Sequence, residues 1–201
     1  MIQDPDRYVV PARRAQAQLV EKRSRFVAVA APAFTPEEAQ ELIAAERQRW
    51  HDAAHHPYAW NIGTLERYSD DGEPAGTAGK PIAGAIAKSG LESVVVVVNR
   101  YFGGIKLGPS GLVRAFGEAA REALVQSGEE ERFHTARLTV TFDFDLTSPV
   151  HHTLQQFTAH TVAKDFSDRA RLVVEVRRSR LDRFREALCE STAGRAEIVH
   201  E

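Results

Sequence analysis

The sequence predicts an α+β fold in two units, and three observations carry that prediction. Apolar residues follow a strand pattern in some stretches and a helical pattern in others. Around residues 128–135, GEEERFHT, the chain turns charged and the apolar pattern stops, as at a domain boundary. Beyond that point the elements read strand, helix, strand, strand, helix, strand. The boundary gives one unit over residues 1–132 and a second over 133–201.

Residues 18–31, QLVEKRSRFVAVAA, read as one extended strand, with strand propensity strongest in FVAV. Helix one opens at Thr35. Thr35 caps, Pro36 suits the first helical position and Glu38 completes a capping box. Leu42, Ile43 and Trp50 fall roughly on one face, and the helix is expected to end near residues 51–52. Residues 57–62, PYAWNI, read as a short strand. After the Gly-rich stretch 69–79, Pro81 opens a helix over 82–89, and Gly90 stands where a C′ glycine belongs. Residues 93–99, SVVVVVN, are a β-branched run expected to be buried on both faces. A second Gly-rich loop, 103–111, precedes a helix over 112–126 that Gly128 stops.

In the second unit, strands are expected over 136–146, 162–167, 170–177 and 195–200, with helices over 148–160 and 180–191. Ser148 and Pro149 supply a cap and a first-turn proline; Leu181, Phe184 and Leu188 mark the buried face of the last helix. The order βαββαβ is that of a ferredoxin-like domain.

Composition narrows the function classes. Hydrophobic residues make up 43% and charged residues 27% of the 201 residues, an ordinary globular balance. The formal net charge of −2 provides no global attraction for nucleic acid. One cysteine, Cys189, excludes an internal disulfide and a cysteine-built zinc site. It is expected to be a packing residue. The start, MIQDPDRY, has no apolar signal region. The longest apolar run, 94–98, is far short of the ~20 residues that span a bilayer. A cytoplasmic location is expected, with no membrane partner.

Two segments carry candidate chemistry. In 69–80, SDDGEPAGTAGK, the acids Asp70, Asp71 and Glu73 crowd together beside Ser69 and Gly72. Gly76, Thr77 and Gly79 offer backbone N–H groups ahead of a helix, with Lys80 adding charge, an arrangement suited to an anion. A solvated turn is the plain alternative. In 99–114, NRYFGGIKLGPSGLVR, Gly103, Gly104 and Gly108 follow a buried strand, with Arg100, Tyr101, Lys106 and Arg114 nearby. This is neither a P-loop nor a G-x-G-x-x-G fingerprint; a tight connection needing glycine for geometry is the alternative. His51 and His55 would share a helical face at i, i+4 if helix one ran that far, with Asp52 beside them. Two ligands fall short of a metal site, so no metal and no cofactor is assigned. Ser110 in G-P-S-G is not a nucleophile elbow, and no catalytic residue is assigned. Basic residues cluster at Arg13, Arg14, Lys22, Arg23 and Arg25, and again at Arg177, Arg178, Arg180, Arg183 and Arg185, with acids interleaved.

KRSRF (22–26), HHPYAW (55–60), SDDGEPAGTAGKPI (69–82) and RYFGGIKLGPSGLVRAF (100–116) together resemble the YigZ/IMPACT family, strongly over residues 18–127. The resemblance implies a first domain like domain two of ribosomal small-subunit protein five and elongation-factor G domain IV. It implies a second domain like elongation-factor G domain V. Pro57 stands where the family often has cysteine, and Asn99 where threonine or a small apolar residue is usual. The implied role is non-catalytic and translation-linked: binding RNA, the ribosome or a translation factor through the 69–114 surface, as a monomer. His56, from HHPYAW, joins the residues of that surface. Two other readings remain open. One is an enzyme or binder acting on a phosphate-bearing small molecule at the paired Gly-rich loops; the other is a protein-interaction module.

Overall fold

The computed structural model describes residues 4–200. It divides into two compact units, residues 8–132 and residues 4–7 with 133–200. The elements of the first are β1 (Arg7–Pro11), β2 (Ala15–Glu21), β3 (Ser24–Pro32), α1 (Pro36–Arg49), β4 (Tyr58–Ile62), β5 (Leu65–Ser69), α2 (Gly79–Ser89), β6 (Val94–Tyr101), α3 (Gly108–Ser127) and β7 (Glu129–Phe133). The second holds β8 (Thr135–Phe142), α4 (Thr147–Gln156), β9 (His160–Phe166), β10 (Ala170–Arg177), α5 (Leu181–Thr192) and β11 (Glu197–His200). Three sheets and five α-helices make up this mixed α/β architecture among the described residues. No helix among them is long and apolar enough to cross a membrane.

The first unit is built on the valine run. β6 lies at the centre of an antiparallel sheet ordered β2-β3-β6-β4-β5. All five valines of 94–98 are fully buried, because both faces of the strand are covered. Val94, Val96 and Val98 pack with Ile82 and Ile86 of α2 and Phe116 of α3. Val95 and Val97 face the other way, with Ile43 of α1, Tyr58 and Trp60. A period-two side-chain pattern thus feeds two cores from one strand. Each buried valine contributes about 1.5–3 kcal/mol of transfer free energy as an upper figure. β1 and β7 form a separate two-stranded pair.

Several local predictions hold for the stated reasons. Thr35 caps α1, its Oγ accepting from the Glu38 N–H at 3.1 Å. The Glu38 carboxylate reaches back to the Phe34 N–H at 2.7 Å. Gly90 ends α2 with a left-handed φ of 71°.

Others are corrected. Residues 18–31 are two strands, since the chain reverses at Lys22 and Arg23 and β2 pairs antiparallel with β3. Both turn residues have positive φ, 44° and 67°. This is the geometry for which two-residue hairpins prefer Asn-Gly or Asp-Gly, so the usual signature is missing. The cross-strand register from Ala15↔Ala30 to Glu21↔Ser24 imposes the turn instead. Helix α3 begins at Gly108, inside the expected loop; Gly108 enters with φ 74° and Pro109 sits in the first turn. Helix α1 stops at Arg49, so His51 and His55 share no helical face. Ser148 is not a cap: α4 starts at Thr147 directly after a 3-10 turn over Phe144–Leu146. The exposed strands β5 and β7 bury too little to leave an apolar period.

In the second unit the elements follow the order βαββαβ. The sheet runs β11-β8-β10-β9, antiparallel throughout. Its core joins Leu138, Val140 and Phe142 of β8, Leu172 and Val174 of β10, and Phe184 and Leu188 of α5. Cys189, expected to pack, is exposed on α5.

Candidate functional site

Strand alternation decides what the end of β6 presents. Arg100 follows Val98 by two residues and shares its face; its guanidinium lies 5.7 Å from the Phe26 ring centre. Asn99 and Tyr101 emerge on the opposite face, with α1. The Tyr101 ring meets Trp50 edge-on at 6.4 Å. Arg100 and Tyr101, adjacent in sequence, therefore belong to different surfaces.

The acids of 69–79 all have partners. Asp70 accepts from the backbone N–H groups of Gly76 (2.8 Å), Ala78 (3.0 Å) and Gly79 (2.8 Å). Burial pushes the Asp70 carboxyl up, but these three N–H bonds outweigh it and hold it below the usual range. The anion expected at the N-terminus of α2 is thus the protein's own carboxylate. Gly79 is required there because a Cβ would fall 2.7 Å from the Ser69 backbone. Ser69 Oγ accepts from the Asp71 N–H at 3.2 Å, and the Thr77 hydroxyl donates to the Pro74 carbonyl at 2.7 Å. Asp71 accepts from Arg47 at 2.5 Å and from the His56 N–H at 2.7 Å. Glu73, 6% exposed, takes two bonds from Arg100 Nη1, at 2.6 and 2.7 Å.

A cleft of about 540 Å³ opens between the two Gly-rich loops. Gly72, Glu73 and Pro74 form one side; Phe102, Lys106, Leu107, Gly108, Pro109 and Leu112 form the other; Arg100 and His55 lie between. The Arg100 Nε is buried and has no hydrogen-bond partner. Phe102 is 53% exposed. The two loops are fixed differently. Gly72 lies against the His55 ring. Gly103 presses on the β2–β3 turn so closely that a Cβ would sit 2.1 Å from the Arg23 carbonyl carbon.

Of the other candidates, Lys80 and Gly104 are exposed and do not line this cleft. Arg114 pairs with Glu21 at 3.1 Å and lines a smaller recess with Lys22, Ser110 and Gly111. On the α1 face, His56 Nδ1 lies 2.7 Å from Asn99 Oδ1, while Asn99 Nδ2 donates to the Val27 carbonyl. That assigns the proton to Nδ1 and leaves Nε2 as the acceptor in the neutral ring. Tyr101 donates to Asp52 at 2.6 Å, and Arg25 stacks on its ring at 4.1 Å. The Tyr101 hydroxyl is pushed up by burial and then by the Asp52 bond, and that bond leads in lowering Asp52. No group of three or more His, Cys, Asp or Glu fit to hold a metal occurs among the described residues.

Sequence reasoning missed the apolar lining: Phe102, Leu107, Pro109 and Leu112. The available signal was an aromatic residue directly before two glycines. Of the basic clusters, Arg14 is tied to Glu46 and Arg13 to the Gln126 carbonyl, while Lys22 and Arg23 are exposed at the hairpin tip. In the second unit Arg177 pairs with Asp4, whereas Arg178, Arg180 and Arg183 are exposed.

Comparison with known proteins matches the Impact N-terminal domain family to residues 22–124. A domain family of unknown function (DUF1949) matches residues 140–195. A Thermus thermophilus protein, "IMPACT family member in pol 5'region", is 56% identical over 103 residues, 51% of this chain and 56% of that protein. "IMPACT family member YigZ" of Escherichia coli is 31% identical over 199 residues, covering 96% of this chain and 97% of that one. A crystal structure described as that of a hypothetical protein superposes with a TM-score of 0.73 at 29% identity, covering 96% of this chain and 97% of its own.

Proposed function

This chain belongs to the IMPACT family, and we propose that it is a non-catalytic, translation-linked protein that binds RNA beside the 69–79 and 102–109 loops. The observation that carries this reading is the engagement of the three loop acids. Asp70, Asp71 and Glu73 are each bonded into the loop framework, which supports a structural role for them over that of general base or Mg²⁺ ligand. The neighbouring surface, by contrast, keeps exposed cations at Lys22, Arg23, Lys106 and Arg114. The likeness to elongation-factor G domains IV and V that the family resemblance implies supports a translation setting. The 4-1-3-2 strand order of the second unit supports reading it as a ferredoxin-like, domain V-type module. In this proposal the protein works as a cytoplasmic monomer, and the ribosome or a translation factor meets it through the same RNA-binding surface.

The test is a fluorescence-anisotropy titration against ribosomal subunits and short structured RNAs at low and physiological salt. Arg100 stays intact, since it holds Glu73. The variant is Lys22→Ala/Lys106→Ala/Arg114→Ala, three exposed side chains. Wild-type affinity should fall with salt, with a log–log slope of about 0.7–0.9 per phosphate contacted; the variant should bind weakly with a shallower slope. Absence of binding at low salt, or a variant that binds like wild type, rejects this surface. A second reading, a small phosphate-bearing ligand, is favoured by the size of the cleft, which lies within the about 300–1,000 Å³ of ligand pockets.

A further inference from the structure

We propose that the cleft between residues 72–74 and 102–109 is a nucleotide site: the base lies on Phe102 and accepts from Arg100 Nε, and the phosphate sits at Lys106 and the first turn of α3. The inference deepens the RNA reading, which supplies one of two sources for the nucleotide; a free nucleotide is the other.

Three features converge on this ligand. The floor holds a donor without a partner. Arg100 lines the cleft, is 8% exposed, makes both its bonds to Glu73 through Nη1, and has a buried Nε without a partner. A buried donor left unmade is unfavourable, so the site is completed by an acceptor. That acceptor is uncharged. The Glu73 carboxylate already balances the guanidinium at 2.6 Å, and an ionised phosphate brought to this pair would meet Glu73 as well as Arg100. A base carbonyl or ring nitrogen fits, as donor and acceptor patterns on base edges require.

The wall provides a ring face. Phe102 is 53% exposed beside the Arg100 guanidinium, 5.7 Å from the ring centre. Leu107, Pro109 and Leu112 continue the apolar surface. Aromatic platforms of this kind hold unpaired bases by stacking.

The rim provides the anion position. Each Gly-rich loop opens a helix, but only one helix start is closed. Asp70 occupies the N-terminus of α2. The N-terminus of the 20-residue α3 has no side-chain cap, and Gly108 and exposed Lys106 both line the cleft. Phosphate is the usual occupant of such a start. The groups present, a charge-balanced guanidinium donor, a ring face, and a cation with a helix start, are those that a base and a phosphate require.

The experiment measures binding of nucleoside 5′-monophosphates, of ribohexamers, and of an abasic ribohexamer to the full chain. Wild type, Phe102→Ala, Phe102→Trp and Lys80→Ala are compared, with circular dichroism to check folding. Phe102 is largely exposed, so its truncation leaves the core intact. Monophosphate and intact hexamer should bind wild type and Lys80→Ala alike. Phe102→Ala should weaken both by about tenfold or more, and Phe102→Trp should restore them. The abasic hexamer should bind wild type weakly and lose nothing further in Phe102→Ala. If intact and abasic hexamers bind equally, indifferent to Phe102, the base site is wrong while RNA binding stands. If monophosphates bind through Phe102 and no hexamer does, the nucleotide site stands and RNA is not its source. If neither binds, both readings fall.

Discussion

At the residue scale, Arg100 and Glu73 depend on each other. Both are more than nine-tenths buried, and a charge at that depth is tolerated only with its partner. Glu73→Leu or Arg100→Met alone is expected to cost about 3–5 kcal/mol, and the pair changed together much less than the sum. Urea denaturation of the four proteins in a double-mutant cycle measures this. Asp70 is the other anchor. Asp70→Asn should lower stability at neutral pH by about 1–2 kcal/mol through loss of its charged hydrogen bonds to three N–H groups. The pH dependence follows from the lowered carboxyl. The folded value lies below the ordinary 3.8 of the unfolded chain, so the contribution is full above that value. It declines as pH falls below 3.8 and is gone once pH passes the folded value. Denaturation of wild type and Asp70→Asn from pH 7 to pH 2 should show the two curves converging at the acid end.

At the element scale, the β2–β3 hairpin and the 102–107 loop act together. Lys22 and Arg23 hold positive φ without being glycine or asparagine, a conformation that costs free energy for such residues. Lys22→Asn/Arg23→Gly is expected to raise stability by about 1 kcal/mol, read as a higher urea midpoint at unchanged slope. The same change removes two exposed cations, so RNA affinity should fall and its salt slope flatten. The hairpin and loop meet at Gly103, where a side chain has no room. Gly103→Ala is therefore expected to cost about 1–3 kcal/mol or more, measured by the same denaturation. Unchanged stability would mean that the loop moves freely off the hairpin. Neither the turn nor this contact was legible from the sequence. The turn lacks the residues that announce one, and the closeness of Gly103 to Arg23 depends on the β3–β6 pairing, in which Arg25 sits opposite Tyr101.

At the scale of the whole molecule, the apolar cores are separate. The valine-run clusters lie in the first unit, and the β8, β10 and α5 cluster lies in the second. Two cores without a common residue need not melt as one. Scanning calorimetry is expected to give a calorimetric enthalpy larger than the van't Hoff enthalpy, from two overlapping transitions; equal enthalpies would show a single cooperative unit.

The sequence by itself determined which segments become strands and helices wherever burial leaves a period. The five valines, the Thr35 cap, Gly90 and the βαββαβ order of the second half are local statements, fixed by side-chain chemistry within a few residues. It also pointed to the two Gly-rich segments. The tertiary structure alone decided what those segments do. Asp70 found the N–H groups that an outside anion would have taken, and Glu73 found Arg100 across 27 positions of chain. Alternation along β6 sent Arg100 and Tyr101 to opposite faces. The apolar wall of the cleft came together from Phe102, Leu107, Pro109 and Leu112. Hydrogen bonds and ion pairs between distant residues are set by the folded path of the chain, and no period in the sequence records them.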